Sequence, residues 1–301
     1  PLAAGSQGQD QGELYLVYGQ RTFSDNVFDL QLADDITQIL GATSGDRAGT
    51  AIELGPDLNG DGFAELIIGT PFSDPQGVSA AGEITVIFGS TKDLESEVNL
   101  SQVETDHLKI SGVNPGDGLG TTLSDAGDIN GDGFADLLIG AAFADPLGRP
   151  QAGAGYVIFG GPDLGQDSLD LNRLAADQGV VIAGAQAGDR AGSSLAAADD
   201  LDGDGLGDLI IGAPFADEDG QVDSGAAYIL FGKDLLSLDH SKTALADLRS
   251  EGLLQAGSET AESRAPSAPV SIATPDSRSS SSSFDDLPNA ILPLDDGFSI
   301  L

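Results

Sequence analysis

The residues best suited to chemistry form a short acidic loop that occurs three times in the chain. The loops start at Asp57, Asp128 and Asp200, and each has oxygen-bearing side chains at positions one, three, five and nine, with a glycine at position six. The backbone carbonyl of position seven can also point inward. The candidate metal ligands are therefore Asp57, Asn59, Asp61, Phe63 and Glu65 in the first loop, Asp128, Asn130, Asp132, Phe134 and Asp136 in the second, and Asp200, Asp202, Asp204, Leu206 and Asp208 in the third.

Alternating oxygen ligands in a tight loop suit Ca²⁺, which takes about six to eight hard oxygen ligands, better than Mg²⁺, which prefers a rigid octahedral shell with retained waters. The sixth residue of each loop, Gly62, Gly133 or Gly205, permits the positive φ of a sharp turn. The ligand sets carry three formal negative charges in the first two loops and four in the third, and such close carboxylates repel one another without a cation. We expect three Ca²⁺ sites that bind independently and stabilise hairpins.

A single acidic loop of this kind is equally typical of a solvated hairpin turn, so the prediction depends on the recurrence of the pattern. The loop is not an EF-hand, because position twelve is Ile68, Ile139 or Ile211 instead of a bidentate glutamate. The flanking segments also favour strands over helices.

Composition excludes several classes of protein. Asp and Glu number 49 against 12 Lys and Arg, so the formal net charge is -37, which disfavours nucleic acid and anionic membranes as partners. There is no cysteine, which excludes disulfides and thiolate chemistry, and there are only two histidines. No apolar run approaches the roughly 20 residues of a membrane-spanning helix.

The acidic loops belong to a longer repeat of about 71 residues, whose copies start at Gly41, Gly112 and Gly184. Each copy predicts four short strands, with the acidic loop between the first and the second. The second and third strands are continuous apolar runs, such as residues 66–69 and 84–88, which favours strands that are covered on both faces. A four-stranded unit repeated in tandem and covered on both faces predicts an all-β fold, a β-propeller of which about 3.5 blades are present.

The repeat also predicts the organisation of the chain. Residues 1–19 align without gaps to residues 71–89, so we expect the chain to begin inside a repeat and to be part of a longer protein. The predicted segments are the end of a truncated blade and its connection (1–40), three blades (41–111, 112–183 and 184–257, the last with the start of a degenerate fourth copy), a Ser-rich linker (258–283) and an unassigned tail (284–301).

Three features together resemble the FG-GAP repeats of the integrin α-subunit propeller and its bacterial relatives. They are the acidic loop, the Leu-Ile-Ile-Gly-Ala-Pro run of residues 209–214 and the Tyr-Ile-Leu-Phe-Gly run of residues 228–232. The resemblance covers about residues 1–257. The Phe-Gly pair that names the repeat is Ala48-Gly49, Leu119-Gly120 and Ala191-Gly192 here.

The resemblance implies Ca²⁺ on the bottom hairpins of a seven-bladed propeller and a protein or glycan ligand on the opposite face. That face would carry the connections between strands two and three, which start at Asp74, Asp145 and Asp217 and whose Pro and Gly placement predicts type I turns. We expect a non-enzymatic, extracellular, secreted or cell-surface segment for adhesion or protein recognition, with no membrane insertion. The alternatives are a lectin-like propeller and the accessory propeller of a larger secreted enzyme.

Other polar and aromatic residues favour structural roles. Arg47 and Arg190 lie in Gly-Asp-Arg-Ala-Gly turns, where a salt link or a turn hydrogen bond is expected. His107 and His240 are expected at the surface or at strand ends. The tyrosines of the third strands are expected in the core, which counts against sugar stacking; they are Tyr15, Tyr156 and Tyr228. No nucleophile–base pair is evident outside the loops.

Overall fold

Short strands joined by tight turns make up nearly all of the regular structure. The computed structural model describes residues 10–18, 30, 36–92, 94–102, 107–165, 169–217, 220–237, 243–245 and 254–256. His240, the predicted Ser-rich linker and the predicted tail lie outside these residues. In chain order, the strands are β1 (Glu13–Val17), β2 (Ile36–Leu40), β3 (Ala51–Leu54), β4 (Leu66–Thr70), β5 (Glu83–Ile87), β6 (Glu97–Asn99), β7 (His107–Ser111), β8 (Thr122–Gly127), β9 (Asp136–Ala141), β10 (Ala154–Ile158), β11 (Gly179–Ala183), β12 (Ser194–Ala197), β13 (Leu209–Ala213), β14 (Ala226–Leu230), β15 (Thr243–Ala244) and β16 (Leu254–Ala256).

The strands form four sheets, three of which repeat one antiparallel plan. Strands β3, β4, β5 and β7 form the second sheet, β8 to β11 the third, and β12, β13, β14 and β16 the fourth. The first sheet pairs β1 with β2 in the same antiparallel manner. Single-turn 3₁₀ helices (Pro75–Gly77, Pro146–Gly148 and Leu171–Arg173) and one short helix, α1 (Gly232–Ser237), complete the elements. The predicted all-β fold, a partial propeller of four-stranded blades, is confirmed.

A short segment of each long connection returns to the sheet before its own. Strand β6 precedes β7 in the chain but pairs in parallel with β2 of the first sheet. Likewise, Leu169 bridges Ile110 of the second sheet, and β15 pairs in parallel with β11 of the third. These segments cover the outer edge of each preceding sheet, where unpaired backbone groups would otherwise invite association with other strands. They also connect successive sheets.

The hydrophobic cores lie between successive sheets, because consecutive side chains of a strand point to opposite faces of its sheet and so contact different neighbouring sheets. Ile67 packs in the core shared by the second and third sheets, whereas Ile68 packs in the core shared with the first. Every residue of β4, β9 and β10 is buried, as the continuous apolar runs predict. Strand β13 instead alternates buried and half-buried residues, because only one of its faces is covered by another described sheet. Tyr156 and Tyr228 are buried in these cores as predicted, while Tyr15 is only half-buried.

Candidate metal centres

Each acidic loop connects the first and second strands of a sheet, so all three loops lie at the same end of their sheets. In the first copy, the last residue of β3, Leu54, pairs with the first residue of β4, Leu66, and the loop lies between them in the chain. The antiparallel pairing therefore fixes the distance between the two ends of the loop. The second and third loops occupy the same place between β8 and β9 and between β12 and β13.

The first aspartate organises the backbone of its loop. Asp57 Oδ1 accepts hydrogen bonds from the N–H groups of Gly60 and Asp61, at 2.8 and 3.1 Å, and its Oδ2 accepts one from Gly62 at 2.9 Å. Asp128 and Asp200 accept the equivalent three bonds in their own loops. The side chain therefore fixes the glycine turn that the sequence predicts.

The third and fifth residues lie against each other at the exposed tip of the loop. Asn59 Nδ2 donates to Asp61 Oδ2 at 3.0 Å, and Asn130 donates to Asp132 in the same way at 2.8 Å. The other oxygen of Asp61 accepts from Phe63 N–H at 2.9 Å. The structure thus brings the predicted oxygen ligands of positions one, three and five to one loop tip.

The ninth residue differs from the others because it is buried. Glu65, Asp136 and Asp208 are all 0% exposed. One carboxylate oxygen of each accepts from the backbone of position two, and in Asp136 and Asp208 the other oxygen accepts from Gly160 and Gly232, at 2.9 and 3.0 Å. In Glu65, which is one methylene longer, Oε1 makes no hydrogen bond of normal geometry, although the nearby N–H of Gly89, the equivalent of Gly160 and Gly232, acts to lower the pKa of this carboxyl.

Burial changes the titration of Glu65 and Asp136 in the ion-free protein. Burial raises the pKa of Glu65 to about 7, and the nearby charge of Asp57 adds to this effect. Burial likewise raises the pKa of Asp136 to about 6. A charged group that is both buried and short of partners is costly, so the site at Glu65, whose Oε1 lacks a hydrogen bond, favours a positive ion.

Two of the loops gather their carboxylates closely. One oxygen each from Asp57, Asp61 and Glu65 lie within 4.8 Å of one another, and the same holds for Asp200, Asp202 and Asp208. The second loop has the same backbone hydrogen bonds without so tight a cluster. Oxygen-only donor sets of this kind fit a hard divalent cation, and the unpartnered Oε1 of Glu65 supplies a buried atom that such a cation would satisfy.

Lys233 is a residue that sequence reasoning missed. Its ammonium donates to Asp202 and lies 3.6 Å from Asp204 Oδ2, and the bond to Asp202 raises the pKa of Lys233. The sequence held a signal for it, because the third loop has one more negative charge than the others. A lysine stands there where the first two copies have Ser90 and Gly161.

The opposite ends of the sheets carry stacked arginine and phenylalanine side chains. The Arg47 guanidinium lies 4.6 Å from the centre of the Phe72 ring, and that of Arg190 lies 4.7 Å from Phe215 and 5.3 Å from Phe143. Both arginines therefore stack on aromatic rings, and both also take part in turn hydrogen bonds, which are one of the two predicted contacts. The carbonyls of Arg47 and Arg190 accept from the hydroxyls of Thr50 and Ser193, at 2.8 and 2.7 Å.

The connections between strands two and three differ from the prediction in one respect. Gln76 and Leu147 have φ of 53° and 56°, whereas the third residue of a type I turn has a negative φ. The type I prediction is therefore wrong. Instead, Asp74 Oδ1 accepts from Ala80 N–H at 2.7 Å, and Asp145 does the same for Gln151 at 2.6 Å, which holds the longer connection in place. The third connection lies partly outside the described residues.

The family model described as FG-GAP repeat matches residues 48–87, 122–158 and 191–230. Each range contains the first three strands of its copy and the whole acidic loop. These three segments are FG-GAP repeats. Their sheets are accordingly propeller blades, of the integrin α-like type.

Several curated proteins are similar to part of this chain. Phosphatidylinositol-glycan-specific phospholipase D of Rattus norvegicus is 31% identical over 160 residues, which cover 53% of this chain and 18% of that protein. Integrin alpha-5 of Xenopus laevis is 34% identical over 158 residues, 52% of this chain and 14% of that protein. Integrin alpha-PS2 of Drosophila melanogaster is 28% identical over 185 residues, which cover 61% of this chain and 12% of that protein. The chain thus matches less than a fifth of the length of each of these relatives. Within its described part, no helix is both long enough and apolar enough to cross a membrane.

Proposed function

We propose that the chain is a non-enzymatic propeller segment, stabilised by Ca²⁺ and used for extracellular adhesion or protein recognition. The observation that carries the metal assignment is the buried, unpartnered Glu65 Oε1 beside Asp57 and Asp61. The three loops supply hard oxygen donors in one repeated pattern, which supports one cation for each loop.

The residues that would hold the cations are the predicted ones. Side-chain oxygens would come from positions one, three, five and nine, and backbone carbonyls from Phe63, Phe134 and Leu206. A bound cation supplies positive charge, which offsets the repulsion among the carboxylates. The loop hydrogen bonds of Asp57 and its equivalents orient these groups before binding, so that less conformational entropy is lost.

The recognition role is supported by the comparisons and by the end of the blades opposite the loops. Two of the three relatives described above are integrin α chains, which supports a protein ligand. Phe72 and Phe215 are 37% and 42% exposed at the opposite end, where their rings carry the stacked arginines. Aromatic residues, including phenylalanine, and arginine are enriched in protein interfaces relative to the rest of the protein surface.

A titration of the chelator-treated protein with Ca²⁺ by calorimetry tests the metal assignment, and three sites are expected. Heat at the level of buffer alone refutes it.

A protein pull-down run beside a glycan array tests the ligand class. Selective capture that is lost in the double variant Phe72→Ala, Phe215→Ala supports protein recognition. Glycan hits without protein capture favour the lectin-like alternative, against which the buried Tyr156 and Tyr228 argue.

A second candidate is the accessory propeller of a larger secreted enzyme. It is favoured by the relatives named phosphatidylinositol-glycan-specific phospholipase D, one of which is 37% identical over 114 residues, in Bos taurus. Hydrolysis of phosphatidylinositol-glycan by the full-length gene product, and none by this chain alone, would support it. A full-length product without that hydrolysis, and with protein capture intact, favours the first candidate.

A further inference from the structure

Phe134 contacts two acidic loops at once. It is the seventh residue of the second loop, where its N–H donates to Asp132 Oδ1 at 2.9 Å. Its ring lies on the first loop, since a Cβ added at Gly60 would be 2.4 Å from Phe134 Cε1. A change in the position of Phe134 therefore alters contacts in both the first and the second loop.

Two backbone hydrogen bonds join the same pair of blades. Ala135, next to Phe134, donates to the carbonyl of Asp57 at 3.4 Å, and Gly161 donates to the carbonyl of Leu58 at 2.7 Å. Leu58 is itself bonded to Glu65, the ninth residue of the first loop. Hydrogen bonds therefore link the first and ninth residues of the first loop, Asp57 directly and Glu65 through Leu58, to the blade that carries the second loop.

The second and third loops are joined less closely. Leu206 Cδ2 would lie 3.5 Å from a Cβ at Gly131, which is ordinary packing distance. In the part of the chain that the structure describes, the two backbone hydrogen bonds of the first pair have no counterpart between these loops. The equivalent glycine of the third loop, Gly203, has no atom near its Cβ position.

We propose that the first and second loops bind divalent cations as a coupled pair, through Phe134 and the Ala135–Asp57 hydrogen bond, while the third loop binds alone. The inference rests on the proposed cation binding. An ion that orders Asp57 and Asp61 also orders the carbonyl that Ala135 contacts, so the second ion meets a partly ordered loop. Such coupling is reciprocal, because it is a property of the pair.

Three glycine amides can report the loops separately. The N–H groups of Gly62, Gly133 and Gly205 each donate to the first aspartate of their own loop at 2.9 Å. The experiment is a Ca²⁺ titration of the ¹⁵N-labelled chain, with the midpoint read at each amide by NMR. It is repeated for Asp61→Asn and for the matched control Asp204→Asn, both exposed positions whose replacement leaves the core intact.

Coupling predicts that Asp61→Asn raises the Ca²⁺ midpoint at Gly133 by about fivefold or more, while Asp204→Asn leaves that midpoint at its original value. An unchanged Gly133 midpoint in Asp61→Asn, with all three loops of the original protein still saturating, overturns the coupling and leaves the proposed function intact. Amides that do not respond to Ca²⁺ in the original protein overturn both.

A double-mutant cycle tests the contact itself. Gly60 and Gly203 have similar left-handed φ of 76° and 81°, so alanine strains both backbones alike, but only Gly60→Ala meets Phe134. Gly60→Ala should raise the Ca²⁺ midpoint measured at the Gly133 amide. The increase should be far smaller when Phe134→Ala is also present. Gly203→Ala should leave the midpoint at Gly133 unchanged. Equal effects of Gly60→Ala in both backgrounds would show that Phe134 carries no coupling.

Discussion

The backbone N–H of Leu58 donates a 2.7 Å hydrogen bond to the buried Oε2 of Glu65, seven residues further along the chain. The equivalent bonds, from Ile129 to Asp136 and from Leu201 to Asp208, are 2.8 and 2.7 Å. Each loop is therefore closed by its own ninth carboxylate. The same carboxylate is a proposed metal ligand, so loop closure and ion binding depend on one group.

Calcium should stabilise the folded chain, because the loops exist in this form only when the blades are folded. At a free Ca²⁺ concentration about 100 times the dissociation constant, one site adds about 2.7 kcal/mol to the free energy of unfolding. Thermal melting with excess Ca²⁺ and with a chelator measures the difference. Superimposable melting curves would contradict the assignment.

Without metal, stability should decrease as the pH rises from about 4.5 to about 7. Burial raises the pKa of Glu65 from 4.5 to about 7, so over this interval the folded chain holds a proton that the unfolded chain has released. Because the folded state then binds more protons, its free energy of unfolding falls as the pH rises. Urea unfolding in chelator across this range tests the slope, which Glu65→Gln should reduce. A free energy of unfolding that rises with pH over this range, and whose rise is reduced by Glu65→Gln, would refute the argument.

Lys233→Ala should increase the Ca²⁺ affinity of the third loop. The ammonium of Lys233 lies at Asp202 and Asp204, where it repels an incoming cation and occupies carboxylate oxygens. The Gly205 amide in the NMR titration reports the change. Lys109→Ala is the matched control, since Lys109 pairs instead with Glu83, away from the loops, and its removal should leave all three midpoints in place.

Arg190→Gly should destabilise the chain less than Arg190→Ala. Both variants lose the contacts with the Phe143 and Phe215 rings, but Arg190 has a φ of 54°, which alanine adopts at a cost of about 1 kcal/mol and glycine adopts freely. The second copy has Gly118 at this position, with a φ of 65°. Chemical unfolding of the two variants gives the comparison, and equal losses would show that backbone strain is unimportant there.

Much of the fold could be predicted from the sequence because its signals are local. The apolar runs that became β4 and β9 are buried on both faces, as continuous hydrophobic strands should be. The acidic loops lie between the first and second strands as predicted, since their glycines and aspartates set the turn through hydrogen bonds within a few residues. The turn at Gln76 differs from the prediction because Pro at the second position suits type I and type II turns alike, and only the φ of 53° at Gln76 distinguishes them.

The amino-acid sequence by itself determined the repeat, the four strands of each blade and the oxygen-rich loops, because each depends on residues close together in the chain. Only the tertiary structure decided which loops touch. Phe134 and Gly60 are distant in sequence, as are β6 and its partner β2, and they meet because stacked sheets bring equivalent positions side by side. The packing distance between blades therefore decides whether three similar loops form three separate sites or a pair and a single site.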